Sequence, residues 1–434
     1  MVEFTYDMEK MSAKMIRVIY SKCKIMRTIL LSVVLVVVIA GSAHPQVAGY
    51  EDFEIVESTP VGTVLDNADI RDAHEVWLEM IRGASTSLDI EEFYVSTEPG
   101  EPLDDVLKAI VAAAERGVRV RLIVDARMYK TYPEAVDTLG KRAGVSVRVI
   151  DFGKLAGGVQ HAKYFIVDGK EIFLGSQNFD WRALKHIHEL GVRIRHEDAV
   201  RAYREVFDLD WNLAEQNDAS LIPQLLHRAR VAAPFVIVEG SGDTLSFSPT
   251  YSPRDLIPDS TLWDEKQFVA LVDAARESVL CQFLSYSPTV RGGNRYPVLD
   301  DALRRAAARG VSVRMIVADW QKGTEAVRFL QELADVPNVE VKFSDIPDWS
   351  GGYIPFARVE HCKYLVVDRR WVWLGTSNGE RSYFYNSRNL GVVINNRTLA
   401  ALFRRIFLKS WNGPYTEGVK PGVQYAPRKH GEER

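Results

Sequence analysis

Two short stretches of this chain hold the residue types that phosphoryl chemistry needs. One reads HAKYFIVDGKEIFLGSQN and supplies His161, Lys163, Asp168, Ser176 and Asn178; the other reads HCKYLVVDRRWVWLGTSN and supplies His361, Lys363, Asp368, Thr376 and Asn378. Counterparts are separated by 200 positions throughout, so eighteen residues align without a gap. In an extended segment residues i and i+2 face the same way, which sets His161 beside Lys163 and His361 beside Lys363. An imidazole can attack phosphorus or hand a proton to a leaving oxygen, and an ammonium can balance the charge on non-bridging oxygens. Ser176 with Asn178, and Thr376 with Asn378, return on one face and add hydrogen-bond donors for a phosphate. Two imidazoles, two ammoniums and two carboxamides brought together form an oxyanion site that needs no metal.

Asp168 and Asp368 complete the two motifs as candidate catalytic residues. Their offset of seven from the histidine is odd, and the Gly169-Lys170 and Arg369-Arg370 pairs that follow read as turns. They are expected to brace the hairpin or a nearby lysine, not to attack substrate. Glu189 stands 28 residues after His161, where the second copy carries Asn389. A carboxylate on the far ring nitrogen fixes a tautomer and stabilises the imidazolium. The offset therefore predicts that Glu189 serves His161, with His161 as nucleophile and His361 as general acid.

The elements that must hold these residues are themselves repeated. LDDVLKAIVAAAERGVRVRLIVD (Leu103 to Asp125) matches LDDALRRAAARGVSVRMIVAD (Leu299 to Asp319), each an amphipathic helix that stops at Gly117 or Gly310 and feeds a β-branched strand. Another helix and strand precede each, at His74 to Val95 and at Glu265 to Tyr286, and a Gly-rich approach enters each motif. Helix into strand is α/β grammar. The expected organisation is a first half over 54–233, a connector over 234–264, a second half over 265–415 and a mobile polar tail over 416–434.

Composition bounds the rest. The 434 residues are 47% hydrophobic and 26% charged, an ordinary globular mix, and the net charge of −4 excludes a broad basic face for duplex DNA. Of three cysteines, Cys23 precedes the apolar run, so Cys281 and Cys362 are the one pair that could form a disulfide in the folded part. Residues 1–43 read as an extension and export signal: Ile29 to Ala40 is apolar, follows six basic residues and precedes Gly41, Ser42 and Ala43. Met26-Arg27 opens a more typical signal than Met1, and an uncleaved anchor is the alternative. Export to a secreted or periplasmic location is the expectation.

The paired HxKxxxxD motifs, each followed by G-[ST]-x-N, resemble the signature of the phospholipase D superfamily. VESTP, LGSQNFDWRAL, LSFSPTYSPRDLIPD, IPFARVEHCKY and IFLKSWNGPY resemble the branch that contains lysosomal phospholipase-D-like 5′-exonucleases and poxvirus envelope phospholipases, over about residues 54–415. The resemblance implies an α/β fold of two duplicated α/β/α halves packed as one bilobal unit around a shared site, a covalent phosphohistidine and no cofactor. Gly379-Glu380 departs from it, since an aromatic residue is expected after GTSN.

Several residues have a bland reading beside the functional one. His186 and His188 could join His161 and His361 at a metal, but the sequence shows no cysteine or carboxylate cluster to complete a ligand set. Trp181 and Arg182 could form core or substrate rim. Tyr383, Phe384, Tyr385, Trp349, Tyr353 and Phe356 could stack bases, hold acyl chains or pack the core. Asn396-Arg397-Thr398 matches a glycosylation sequon. The expected substrate is a phosphodiester, of single-stranded nucleic acid or of phospholipid with transient membrane contact. Phosphatidyl transfer to an alcohol and an inactive phosphate-binding scaffold are the alternatives, and oligomeric state stays open.

Overall fold

The computed structural model describes residues 49–239, 242–290, 293–428, 430 and 431. The run from Ile29 to Ala40, and the export signal read from it, lie outside them. Among the described residues no helix is long and apolar enough to cross a membrane.

In chain order the first half runs β1 (Phe53–Ser58), α1 (Ala73–Gly83), β2 (Ser87–Glu92), α2 (Pro102–Glu115), β3 (Arg119–Asp125), β4 (Val145–Ile150), β5 (Tyr164–Val167), β6 (Glu171–Gly175), β7 (Glu189–Arg195) and α3 (Glu197–Leu213). Asp72 caps α1 by accepting the His74 amide, and α2 carries proline in its first turn, where no amide partner is lost. Gly117, at φ 95°, releases the chain from α2 into β3. The strand order is β1-β7-β6-β5-β2-β3-β4. The β2, β3 and β4 strands run parallel, while β5, β6, β7 and β1 alternate in direction.

The second half repeats this with β8 (Phe235–Val238), β9 (Thr244–Ser252), α4 (Asp264–Ala274), β10 (Ser278–Phe283), α5 (Val298–Ala308), β11 (Ser312–Ala318), β12 (Val339–Ser344), β13 (Tyr364–Val367), β14 (Trp371–Gly375), β15 (Asn389–Asn395), α6 (Arg397–Asn412) and β16 (Thr416–Gly418). Its order is β8-β9-β15-β14-β13-β10-β11-β12-β16. The motif strands β5 and β13 therefore lie at the middle of their sheets, β5 against β2 and β13 against β10.

Each sheet has an outer core of its own. Trp77 of α1 meets Phe165 and Phe173 edge-on at 5.9 and 5.2 Å, and Phe268 meets Trp373 in the same way at 5.9 Å. Burying one such ring contributes roughly 1.5–3 kcal/mol. The inner faces share a third core, in which Tyr164, Tyr203 and Phe207 of the first half pack with Tyr251, Tyr364 and Phe403 of the second. One hydrogen bond crosses this core from the Tyr203 hydroxyl to the Gly391 carbonyl at 2.9 Å. The duplicated α/β/α halves thus close on each other through α3, α6 and the inner sheet faces.

Three expectations change. Residues 234–264 are not a connector: β9 pairs with β15 over seven positions and occupies the place that β1 holds in the first sheet. The Pro249 and serine content of β9 hides its alternation. The tail is anchored, since β16 pairs with β12, Tyr425 packs on Phe343 at 5.0 Å, and Arg428 reaches Asp319, Asp345 and Asp348. Cys281 and Cys362 are both free thiols, in separate settings against the Arg314 and His188 carbonyls. The sequon asparagine is spoken for as well: buried Asn396 caps α6 and donates to the Tyr50 hydroxyl at 2.6 Å.

Candidate active site

The loops that enter the two motifs are held by the opposite half. Gly158 lies so near the second half that a Cβ there would stand 2.4 Å from the Asn386 carbonyl oxygen, so only glycine allows the approach. The Arg388 amide donates to the Val159 carbonyl and the His161 amide donates to the Arg388 carbonyl, both at 2.9 Å. The second copy is tied alike: His188 donates to Val359 at 3.0 Å, and His361 donates to the His188 carbonyl at 2.9 Å. Both histidines thereby leave the sheet just before β5 and β13 begin.

Their ring partners also come from across the interface. Nδ1 of His161 faces Asn389 Oδ1 at 3.0 Å, and Nδ1 of His361 lies 2.8 Å from both Glu189 oxygens. This overturns the expected pairing of Glu189 with His161. Equal sequence offsets placed each partner in the histidine's own half, whereas β7 and β15 begin against the opposite motif loop. With Nδ1 engaged, each ring presents Nε2 for reaction.

Lys163 Nζ donates back to the His161 carbonyl at 2.5 Å, and Lys363 Nζ does the same to the His361 carbonyl. An ammonium has three donors, so two remain on each lysine for phosphate oxygens. All four cationic groups are buried, at 8% exposure or less. Burial, then Lys363, drives the Lys163 ammonium well below its usual range against the pull of Glu92 and Glu189. Burial brings Lys363 down to about 7, opposed by Glu189. Burial first, and the two lysines next, hold both imidazoles well below their ordinary value. Burial pushes Glu189 up to about 8 against Lys363, the Ser176 hydrogen bond, Lys163 and His188. An anion set among these groups would restore the charge that crowding opposes.

Ser176 and Thr376, expected as phosphate ligands, serve the ring partners. Thr376 Oγ1 donates to Asn389 Oδ1 at 2.9 Å, and Ser176 Oγ accepts the Leu190 amide at 3.1 Å while hydrogen bonding to Glu189. Asn178 and Asn378 are both buried: Asn178 precedes Phe179, whose amide donates to Glu92, and Asn378 Oδ1 accepts the Ser285 amide at 3.4 Å.

Asp168 and Asp368 stand apart from the site. Asp168 takes hydrogen bonds from Ser85, Thr86 and Ser87, and Asp368 accepts the amides of Arg276, Glu277 and Ser278. Both have positive φ, 54° and 50°. They fasten the β5–β6 and β13–β14 hairpins to the turns that lead into β2 and β10. Their bracing role is as expected, their place among the catalytic groups is not.

Aromatic rings flank one histidine. Phe93 meets the His161 ring at 5.1 Å and sits 5.0 Å from Lys163 Nζ, while Tyr383 meets His161 from another side at 5.0 Å. Beside Phe93, Tyr94 stacks on Tyr132 at 5.1 Å and donates to Asp180. The other aromatic candidates separate: Phe384 is core, Tyr385 packs on Trp263, Phe356 lies near Trp320, and Trp349 and Trp181 both meet His186. Arg182 braces Asp180 and reaches the Pro355 carbonyl. The Tyr286 ring fills the space at Gly379, where a Cβ would stand 2.6 Å from it, so no side chain fits after GTSN.

A cysteine and carboxylates do gather round His188, as the sequence had not shown: Glu360 and Cys362 lie within metal-ligand range of it. Glu57 and Glu360 already take up both ring nitrogens, which makes the group an ion-pair network.

The family model described as "Cardiolipin synthase, PLD-like domain" matches residues 77–211 and again 269–411. The chain belongs to the phospholipase D superfamily. It is similar to the 5'-3' exonuclease PLD3 of Macaca fascicularis, at 32% identity over 84% of this chain and 80% of that protein. It is also similar to Phospholipase D Z of Dictyostelium discoideum, at 30% identity over 84% and 90%. The phosphatidylserine synthase of Haemophilus influenzae shares the fold, with a TM-score of 0.57 at 14% identity over 80% of this chain and 85% of that one.

This phospholipase D superfamily phosphodiesterase places around the two motifs residues that the motifs do not name: Phe93, Glu92, Asn389, His188 and Arg388. A signal for Phe93 and Glu92 existed, because α/β sites form beyond the carboxyl ends of the strands, and Glu92 ends β2 with Phe93 next in the chain. Nothing in the sequence could have shown that Asn389 and Glu189 change partners.

Proposed function

We propose that the chain hydrolyses phosphodiesters at the ends of single-stranded nucleic acid, through a phosphohistidine and without a metal. The observation that carries this reading is the His161 imidazole, set between Phe93 and Tyr383 above two buried lysines. Rings beside the scissile phosphate offer stacking surfaces to a base, and stacking tolerates any sequence, which suits trimming from an end. The net charge of −4 leaves binding to such local contacts. The similarity to a 5'-3' exonuclease supports the same substrate class.

The crossed partners support one order of steps. A carboxylate balances the positive charge of a phosphorylated imidazole better than an amide does, so His361, backed by Glu189, is the nucleophile. Its Nε2 forms the N–P bond while the P–O bond to the leaving group breaks, and His161 gives its Nε2 proton to the departing oxygen. His161 then takes a proton from water as the water oxygen attacks phosphorus and the N–P bond breaks, which returns both rings to their starting states. Lys163, Lys363, Asn178 and Asn378 hold the non-bridging oxygens.

Initial rates on a 5′-hydroxyl single-stranded oligonucleotide and on phosphatidylcholine vesicles decide the substrate class. The oligonucleotide is expected to turn over faster, and Tyr383→Ala to slow it. Faster lipid hydrolysis, or an oligonucleotide rate indifferent to Tyr383, overturns this reading.

A further inference from the structure

His188 is not one of the reacting groups, yet it stands where both halves meet behind His361. Its ring donates from Nδ1 to Glu360 at 2.5 Å and from Nε2 to Glu57 at 3.0 Å. Each carboxylate is itself held, Glu360 by Gln282 Nε2 at 2.6 Å and Glu57 by Asn67 Nδ2 at 2.9 Å. A ring that donates from both nitrogens is an imidazolium. Its backbone is engaged too, because the His188 carbonyl accepts the His361 amide and the His188 amide donates to Val359. The next residue along β7 is Glu189, which holds the His361 ring.

The other half builds the same joint from different parts. Arg388 precedes Asn389, accepts the His161 amide on its carbonyl, and is fixed by Asp210 at 2.6 and 2.7 Å and by the Ser252 and Leu256 carbonyls at 2.9 Å. Around each joint an acid and an amide form a pair with their positions exchanged: Gln160 donates to Glu91 in one half, Gln282 to Glu360 in the other. A buried cation at 188 and 388 is thus common to both halves, although its chemical identity is not. A core filler would have no reason to be charged twice.

We infer that His188 is a positioning residue, an imidazolium that clamps the Glu189 strand to the His361 loop and favours the ionised form of Glu189 against the His361 ring. The groups that face Glu189 are Lys163, Lys363 and His188 on the positive side, Glu92 on the negative side, and the His361 ring, the Ser176 hydroxyl and the Cys362 thiol. Removing one of the three positive groups moves the Glu189 proton affinity upward. The imidazolium is supported independently, since Glu360 and Glu57 outweigh burial and raise its pKa to about 10.

This inference rests on the reading that His361 acts with Glu189, and the test separates the two. His188→Gln in the full chain, assayed on bis-p-nitrophenyl phosphate, should lose about 10²-fold in kcat, the scale of a misplaced reacting group. KM should stay within about twofold, and the low-pH limb of kcat/KM should move to higher pH. A kcat within twofold of wild type, or a loss that follows the folded fraction with no movement of that limb, overturns the inference. His161→Ala and His361→Ala run alongside: if either keeps full activity, the reading of the reaction centre fails instead. Should His188→Gln not fold, ¹⁵N-histidine spectra of the wild-type chain decide. One imidazole should remain doubly protonated at pH 8.5 and respond to Glu57→Gln, and its absence also overturns the inference.

Discussion

Glu189 lies in the half that carries His161, yet both of its oxygens are 2.8 Å from Nδ1 of His361. The site is therefore asymmetric in the direction opposite to the one the offsets imply. Quenched His161→Ala enzyme is expected to carry phosphate on His361, because nucleophilic attack survives the loss of the general acid better than turnover does. His361→Ala should carry none. Peptide mass mapping reads both variants, and phosphate on His161 would reverse the assignment.

Each half supplies one motif histidine, so neither half is expected to suffice. His161→Ala and His361→Ala are each expected to lower turnover of bis-p-nitrophenyl phosphate by roughly 10⁴-fold or more, as losses in a catalytic unit do. EDTA should leave wild-type turnover unchanged. Zinc-dependent recovery after chelation would count against a reaction carried by side chains alone.

Lys363 titrates near 7 in the folded chain, below the ordinary lysine value of about 10.4. The sign follows from linkage: the fold favours the neutral amine, so stability is highest above the unfolded value of about 10.4, falls progressively as pH drops towards about 7, and is lowest below it. An anion among the lysines reverses the penalty. Sulfate, which does not titrate in this range, should raise Tm more at pH 6 than at pH 8.5. An equal shift at both values would mean that Lys363 is not where the anion binds.

Asp368 accepts three backbone amides and touches no group of the site. Asp368→Asn should cost about 0.5–1.5 kcal/mol of stability, the net worth of a hydrogen bond that water can partly replace, with kcat per folded molecule unchanged. Denaturant melts and active-site titration separate the two quantities. A kcat loss without a stability loss would return the aspartate to the chemistry.

Phe93 stands against His161 and Lys163 but is no part of either motif. If it stacks a base, Phe93→Ala should raise KM for an oligonucleotide by roughly 5- to 150-fold, from about 1–3 kcal/mol of stacking. The KM for bis-p-nitrophenyl phosphate should change far less. Equal effects on both substrates would make the ring a support for His161 only.

The sequence alone determined the reaction centre and the architecture. Identical spacing in two copies fixes His161, Lys163, His361 and Lys363 as one constellation, and amphipathic helices feeding β-branched strands fix two α/β halves, since both patterns are local and repeat period by period. Only the tertiary structure decided what each group touches. Ser176 and Thr376 face their ring partners, Asp168 and Asp368 pin distant turns, β9 leaves the connector for the sheet, and Glu189 crosses to His361. The physical reason is that hydrogen bonds at 3 Å depend on how the two halves are set against each other, and two nearly equal halves can exchange partners without altering a single spacing in the chain.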